Sequence, residues 1–108
     1  MPLYMTQVSY TNESWAAQVK NPVDRSIVLK ALFEKFGGRL VSMYYCSGDY
    51  DAVIISEFPN ETEAMGALFT VLASSHLRRH KTTDLYEVKQ GLEAMAKAGK
   101  TTYSTPSK

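Results

Sequence analysis

The stretch from residue 39 to residue 58, RLVSMYYCSGDYDAVIISEF, gives the clearest structural signal in this chain of 108 residues. Residues 39–46 and 50–58 are both rich in β-branched and aromatic side chains, and Ser47-Gly48-Asp49 separates them. Glycine accepts the positive φ that a short connection between antiparallel strands requires. The pattern therefore predicts a β-hairpin near the middle of the chain.

The segment before the hairpin predicts a strand followed by helix. Residues 3–10 alternate loosely and are rich in β formers, which indicates a strand. A short helical piece up to Lys20 precedes a stronger helix start at residues 21–24, Asn-Pro-Val-Asp, with an N-cap side chain and a proline for the first helical position. Gly37-Gly38 ends this helix, because glycine accepts the left-handed backbone of a helix terminus. The helix is also indicated by residues that recur at helical spacing, namely Ile27, Val28, Ala31, Leu32, Lys35 and Phe36.

The segment after the hairpin predicts a second main helix, a fourth strand and an extra helix. Asn60, with a glutamate three residues later, resembles a capping box and starts the second helix. Residues 82–86 are expected to form the last strand, and the basic run at residues 76–81 is expected to form a solvated loop before it. Residues 87–97 then have an amphipathic pattern, and residues 99–108 form a polar tail that we expect to be disordered.

The order of these elements predicts one α+β domain over residues 1–98. With short connections and right-handed crossovers, βαββαβ order gives a ferredoxin-like sheet of four antiparallel strands with both main helices on one face. The first and third strands then lie at the centre of the sheet. The extra C-terminal helix follows the fourth strand.

Residues 52–55, Ala-Val-Ile-Ile, are apolar at four consecutive positions of a predicted central strand. Strand side chains alternate between faces, so two of these side chains point to the helices and two point away. A strand that is apolar on both sides is expected to be covered on both sides. A second copy packing sheet to sheet, about 10 Å away, predicts a homodimer with Tyr44 on or beside that face. The alternative is that the C-terminal helix folds across it.

Composition excludes several classes of protein. The net charge of +1 argues against a nucleic-acid binder and against a protein attracted to anionic membranes. The longest mostly apolar stretch, residues 66–73, is far shorter than the roughly 20 residues that a bilayer requires. The single cysteine, Cys46, excludes an intrachain disulfide framework, and with no signal-peptide pattern at the N-terminus it favours a cytoplasmic protein.

The motif Gly48-Asp49-Tyr50-Asp51, between two strands and before an aliphatic run, resembles the one for which the GYD-domain family is named. Residues 2–4 (PLY), 36–40 (FGGRL) and 81–83 (KTT) also look like that family, so the resemblance spans residues 2–87. The order Gly-Asp-Tyr and the long, proline-interrupted first helix depart from the family pattern. The resemblance implies a dimeric α/β barrel related to ferredoxin-like stress-responsive and small monooxygenase domains. It implies no particular reaction.

Two side chains, His80 and Asp51, are candidates for acid–base catalysis. Asp51 lies just inside a strand, where it is either an edge cap or a cleft residue, and it could form a carboxylate pair with Asp49. Turn chemistry accounts for Asp49 more simply. His76 and His80 have the spacing of two metal ligands on a helix, but the pair straddles a predicted helix-to-strand join. We therefore expect neither a bound metal nor a cofactor.

Aromatic residues indicate a place for a ligand. A partly apolar pocket between the sheet and the first helix is predicted from Tyr4, Trp15 and Tyr44, with Asp51 or His80 within reach. Such lining suits a small, flat aromatic ligand. Ordinary packing of large aromatic side chains is the alternative.

Three functional hypotheses follow. The first is a dimeric module that binds a small molecule or supports assembly, without catalysis. The second is a cofactor-independent or haem-linked monooxygenase or isomerase of the dimeric α/β-barrel type, which needs His80 or Asp51 in the cleft. A ligand-sensing regulatory domain is a third class, but the chain has no helix-turn-helix of its own.

Overall fold

The structure, a computed structural model that describes residues 1–104, contains one antiparallel sheet of four strands and four helices. The elements in chain order are β1 (Leu3–Tyr10), α1 (Asn12–Lys20), α2 (Arg25–Lys35), β2 (Arg39–Tyr45), β3 (Ala52–Glu57), α3 (Glu61–Ala73), β4 (Leu77–Leu85) and α4 (Val88–Ala98). The strands lie in the order β2-β3-β1-β4, so β1 and β3 are central, as predicted. The α+β, ferredoxin-like fold is confirmed.

The strand register assigns the side chains of the sheet to two faces. Tyr4 and Val8 of β1 lie opposite Ser56 and Ala52 of β3, and all four are buried on the side where the helices pack. The other side, here called the open face, faces away from α1, α2 and α3. Its members along the four strands include Met5, Gln7, Ser42, Tyr44, Val53, Ile55 and Thr83.

The helix α2 begins three residues later than the Asn-Pro-Val-Asp pattern predicts. Asp24 is the N-cap residue in place of Asn21, and its Oδ1 accepts hydrogen bonds from the backbone N–H of Ser26 (2.9 Å) and from its hydroxyl (2.5 Å). These two bonds hold the pKa of Asp24 below its usual value, because they favour the carboxylate. Lys20 ends α1 as expected.

Only part of the apolar pattern of α2 faces the core. Phe33 is buried, and Leu32 and Phe36 pack partly against the core, but Ile27 and Val28 are 67% and 62% exposed. Apolar residues surround α2 on more than one side, so periodicity alone could not select the buried side. Gly37 has φ +71°, which confirms the left-handed helix end.

The helix α3 starts as predicted. The backbone N–H of Glu63 donates to Asn60 Oδ1 at 3.0 Å, which confirms the cap. Ala67 is buried against the sheet, and α2 and α3 meet where the Phe36 ring packs on Gly66. The side chains of the core are Tyr4, Val8, Tyr10, Phe33, Ala52, Ile54, Phe58 and Ala67.

The strand β4 begins at Leu77, five residues before the predicted start at residue 82. The basic run is therefore part of an edge strand paired with β1, and it is not a solvated loop. The predicted hairpin is present, with Gly48 at φ +115° in its connection, but this connection spans residues 46–51 and not 47–49. Asp51 therefore precedes β3, whereas the prediction placed it just inside the strand.

The helix α4 packs least of all the elements. None of its residues is buried, and Val88, Leu92 and Met95 are 79%, 59% and 69% exposed. The alternative in which this helix folds across the sheet is therefore contradicted. Within residues 1–104, no helix combines the length and the apolar character that crossing a membrane requires. The last part of the predicted disordered tail, residues 105–108, lies outside the described residues.

Candidate functional site

A groove of about 920 Å³ lies between the helix-facing side of the sheet and the helices α2 and α3. Its floor is formed mainly by one side of β1, from Tyr4 to Tyr10. Its walls are mostly aliphatic, because α2 and α3 turn apolar side chains toward each other across it. The wall residues include Ile27, Val28, Leu32, Met65, Leu68 and Val71. We call this space the interhelical groove.

The two ends of the interhelical groove differ in charge. At the Tyr10 end, the Arg25 guanidinium lies 5.6 Å from the centre of the Tyr10 ring, and His76 also lines the groove. We call this the cationic end. At the other end, here called the acidic end, Tyr4 lies opposite Asp84 in the neighbouring strand. The strand β1 rises about 3.3 Å per residue, so the two tyrosines are about 20 Å apart.

The acidic end also contains Glu61, at the start of α3, and Lys35, in the last turn of α2. Burial is the main cause of a raised pKa for the hydroxyl of Tyr4, and the carboxylates of Glu61 and Asp84 raise it further. The acidic end therefore has an excess of negative charge, with two carboxylates against one ammonium group.

Tyr10 lies in a different electrostatic setting. Burial raises the pKa of its hydroxyl, Tyr45 and Asp51 add to this shift, and the Arg25 guanidinium opposes it. The Trp15 ring packs edge-on against Tyr10, with centroids 5.4 Å apart. Trp15 thus lies directly behind the cationic end of the groove.

The carboxylate of Asp51 holds two elements together. Its Oδ2 accepts hydrogen bonds from the backbone N–H of Tyr10 at 3.0 Å and from the indole Nε1 of Trp15 at 3.2 Å. Its own backbone N–H donates to the carbonyl of Val8 at 2.8 Å. Of the two interpretations of Asp51, edge cap or cleft residue, this geometry matches the cap.

The structure separates the aromatic residues that were expected to share a pocket. Tyr4 lines the groove, and Trp15 reaches it only through Tyr10. Tyr44 is 63% exposed and lies opposite Val53 on the open face, on the far side of the sheet. The three residues therefore do not line one cleft.

The remaining candidates are also dispersed. His80 is exposed on the edge strand β4, opposite Val8, and His76 precedes that strand, so the two do not share a helix. Asp49 is exposed in the hairpin connection, and its carbonyl accepts a long hydrogen bond (3.5 Å) from the Ser9 hydroxyl. Across residues 1–104, no three His, Cys, Asp or Glu side chains are grouped so that they could hold a metal ion.

Sequence reasoning missed Arg25, the cation at one end of the groove. One signal could have found it: Arg25 is the first residue of α2, where the helix dipole disfavours a positive charge. A cation in that position indicates a role other than helix stabilisation. The exposure of Ile27 and Val28, which follow Arg25 along α2, is evident only in the structure.

Three solved structures are similar to this chain. TTHA0845 from Thermus thermophilus matches with a TM-score of 0.53 and 14% identity, over 81% of this chain and 95% of that chain. The transcriptional regulator NMB0573 from Neisseria meningitidis, in complex with L-Met, matches with a TM-score of 0.50 and 13% identity, over 80% of this chain and 50% of that chain. A NIPSNAP-like domain protein from Burkholderia xenovorans matches with a TM-score of 0.47 and 13% identity, over 80% and 84%. At these identities the first two show a shared fold.

The sequence itself identifies the family. No curated protein matches this chain. The GYD domain matches residues 4–95, which covers every element from β1 to most of α4. This match agrees with the motif at residues 48–51 and with the ferredoxin-like sheet that carries it. The chain belongs to the GYD domain family.

Proposed function

We propose that this chain is a homodimeric module that binds a small, largely apolar molecule in the interhelical groove. The groove itself carries the proposal. Its volume of about 920 Å³ is in the range of pockets that enclose small organic ligands. Mostly apolar walls with a few polar groups at the ends are also typical of such pockets.

Exposed apolar side chains along the groove support a bound ligand. Ile27 and Val28 of α2 are 67% and 62% exposed, and Met65 of α3 is 47% exposed. A contiguous apolar surface of this kind marks a binding site more often than single exposed apolar residues do. A ligand lying between the two helices would remove this surface from water.

The fold comparison adds support. NMB0573, whose fold this chain shares, was solved in complex with L-Met. A ligand-binding role for the present chain is consistent with that fold. At 13% identity, the shared fold does not indicate which ligand this chain binds.

The homodimer is proposed from the open face. Met5, Val53 and Ile55 form an apolar centre that none of the three helices α1, α2 and α3 covers, and Tyr44 beside them is 63% exposed. The aliphatic centre is bordered by charge, for example the ion pair between Arg39 and Glu57 at 2.6 Å. An apolar centre with a charged rim is typical of an interface.

The groove gives no support to catalysis by Asp51 or His80, the two acid–base candidates from the sequence. The Asp51 carboxylate accepts two hydrogen bonds from the protein, and His80 is not among the residues that line the groove. A general acid or base must lie within hydrogen-bond reach of its substrate.

A groove-filling variant tests the proposal. Leu68 faces the groove, and its neighbour Phe69 is exposed and does not line it. We expect calorimetric titration to show binding of at least one compound from a panel of 2-naphthoic acid, menadione and haem. Leu68→Trp should weaken this binding tenfold or more, because the larger ring occupies the ligand's volume.

Phe69→Trp is the matched control, with the same new residue one position along the same helix. It should bind like the wild type. Equal weakening by both variants would refute the groove as the ligand site, and absence of binding by every compound in the panel would refute a groove for flat aromatic molecules.

A further inference from the structure

We infer that the ligand of the interhelical groove is an amphipathic monocarboxylic acid, with its carboxylate on Arg25 and its apolar body between α2 and α3. This inference rests on the proposed function, because it takes the groove as the ligand site. It adds the chemical class of the ligand and its direction in the groove.

Arg25 has an unmet requirement for an acceptor. Its Nε is shielded from solvent and has no hydrogen-bond partner among residues 1–104. The ion pair between Arg39 and Glu57 is the only one formed within those residues, so none of their carboxylates neutralises Arg25. Shielded polar groups in native proteins nearly always have a partner, and an unpaired one calls for an explanation. The terminal NH2 groups of the same guanidinium also have no hydrogen-bond partner among those residues, and they are the donors that a ligand acceptor in the groove can reach.

The nearby carboxylates are already in use. Asp24 accepts two hydrogen bonds from Ser26 at the N-terminus of α2. Asp51 accepts from the backbone of Tyr10 and from the indole of Trp15. Neither lies within ion-pair distance of Arg25, so the guanidinium faces the groove with its charge uncompensated.

The position of Arg25 in α2 strengthens the argument. A positive charge at the first residue of a helix is disfavoured by the helix dipole. The Tyr10 ring offers a partial compensation through a cation–π contact, with 5.6 Å between the guanidinium carbon and the ring centroid. This contact holds the guanidinium at the end of the groove but leaves its N–H donors free for an anion.

The guanidinium group selects a carboxylate by shape as well as by charge. Its planar fork of N–H donors matches the two oxygens of a carboxylate, and such bonds are among the strongest in proteins. The aliphatic walls next to Arg25, formed by Val28 and Val71, suit an apolar body in place of a polar one. The head group and the body of the ligand are therefore specified by different parts of the groove.

The charges at the acidic end of the groove, near Tyr4, disfavour a second carboxylate on the ligand. Glu61 and Asp84 lie there, about 20 Å from Arg25 by strand length, and the single cation Lys35 only partly offsets them. A second carboxylate reaching that end would meet like charges. The acid is therefore expected to lie with its carboxylate at Tyr10 and its apolar end toward Tyr4.

Three probes with one body and different head groups test this inference. Decanoate, decan-1-ol and decylamine share a ten-carbon chain and differ in charge. We expect the wild type to bind decanoate about tenfold to a hundredfold more tightly than decan-1-ol, as a hydrogen bond to a charged group contributes in other proteins. Decylamine should gain nothing from Arg25, which repels its ammonium group, so its binding should depend on the opposite end, where Glu61 and Asp84 lie, and should not weaken in Arg25→Gln.

The charge variant Arg25→Gln should lower the affinity for decanoate and so remove its preference over decan-1-ol. Lys30→Gln is the matched control, because Lys30 is exposed on the same helix and does not line the groove. It should keep the wild-type preference. Decanoate should also perturb the fluorescence of Trp15 in the wild type, since Trp15 packs on Tyr10 behind Arg25. Far-UV circular dichroism checks that each variant is folded.

The outcomes separate this inference from the proposed function. Equal affinity for the three probes, or a decanoate preference that survives Arg25→Gln, overturns the assignment of a carboxylate to Arg25. The groove can then still bind neutral molecules, as decan-1-ol or the Leu68→Trp comparison reports. Binding of none of the three decyl probes also overturns the inference, and the panel of aromatic compounds then decides the proposed function on its own.

Discussion

Replacing Asp51 with alanine is expected to lower the free energy of unfolding by about 1.5–4 kcal/mol. The variant leaves the backbone N–H of buried Tyr10 without an acceptor, which costs about 1–3 kcal/mol. It also removes the bond from the Trp15 indole, which is partly exposed and is replaced by water at a cost of about 0.5–1 kcal/mol. The sum gives the expected range.

Asp51→Asn provides a graded comparison. Both hydrogen bonds go to the same oxygen, Oδ2, so the single carbonyl oxygen of an asparagine can accept both. The bonds lose their ionic component, and a loss of about 1 kcal/mol is expected. Combining Asp51→Ala with Trp15→Phe should show a coupling of about 0.5–1 kcal/mol, because the two variants delete the same bond.

Urea denaturation monitored by circular dichroism measures these values, because it does not depend on the tryptophan that one variant removes. Loss of less than about 0.5 kcal/mol in Asp51→Ala, or strict additivity with Trp15→Phe, would refute the structural role of the carboxylate. Asp51 would then return as a candidate for acid–base catalysis.

Three further predictions concern the interface, the close packing and the tyrosines. Ile55→Asp should stay folded and convert the proposed dimer to a monomer in light scattering, whereas Ile54→Asp should not fold, because Ile54 is 6% exposed among the core residues. Gly38→Ala should lower the free energy of unfolding by about 2 kcal/mol or more in urea denaturation, because its Cβ would lie 2.4 Å from a buried phenylalanine ring. Gly91→Ala, which has open space around it, should raise the free energy of unfolding by up to about 1 kcal/mol. The pKa of Tyr10 is higher in the folded chain than in the unfolded one, so the free energy of unfolding should fall as the pH rises above about 10, and Tyr10→Phe should reduce this fall in a pH series.

The strand and helix pattern could be predicted wherever the local signal and the tertiary environment agree. The bounds of β1 and the cap at Asn60 are such cases. The start of β4 is the opposite case, because its basic residues are poor strand formers and only pairing with β1 places them in the sheet. The sequence of a strand that forms mainly through pairing with its neighbour gives little local indication of a strand.

The site was harder to predict because one irregularity changed the face of a key residue. Leu40 faces the helices, and strict alternation would put Ser42 and Tyr44 on the same side. The register shift between Leu40 and Ser42 adds one residue and turns Tyr44 to the open face. The sequence shows the apolar pattern of the residues on α2 that line the groove. It does not indicate Arg25, because the absence of a hydrogen-bond acceptor for its guanidinium is evident only in the folded chain.

The loosely packed helix α4 affects how the mass of this protein is measured. A chain of this length folded as a compact sphere has a radius of gyration of about 13 Å. This one has 17.9 Å, with principal extents of 61 × 32 × 22 Å, and α4 buries none of its residues. An elongated monomer experiences more friction than a sphere of equal mass, so it elutes early from a gel-filtration column and resembles a larger particle. An apparent dimer on a column is therefore the result expected even of single chains, and the Ile55→Asp comparison requires a measurement of mass itself.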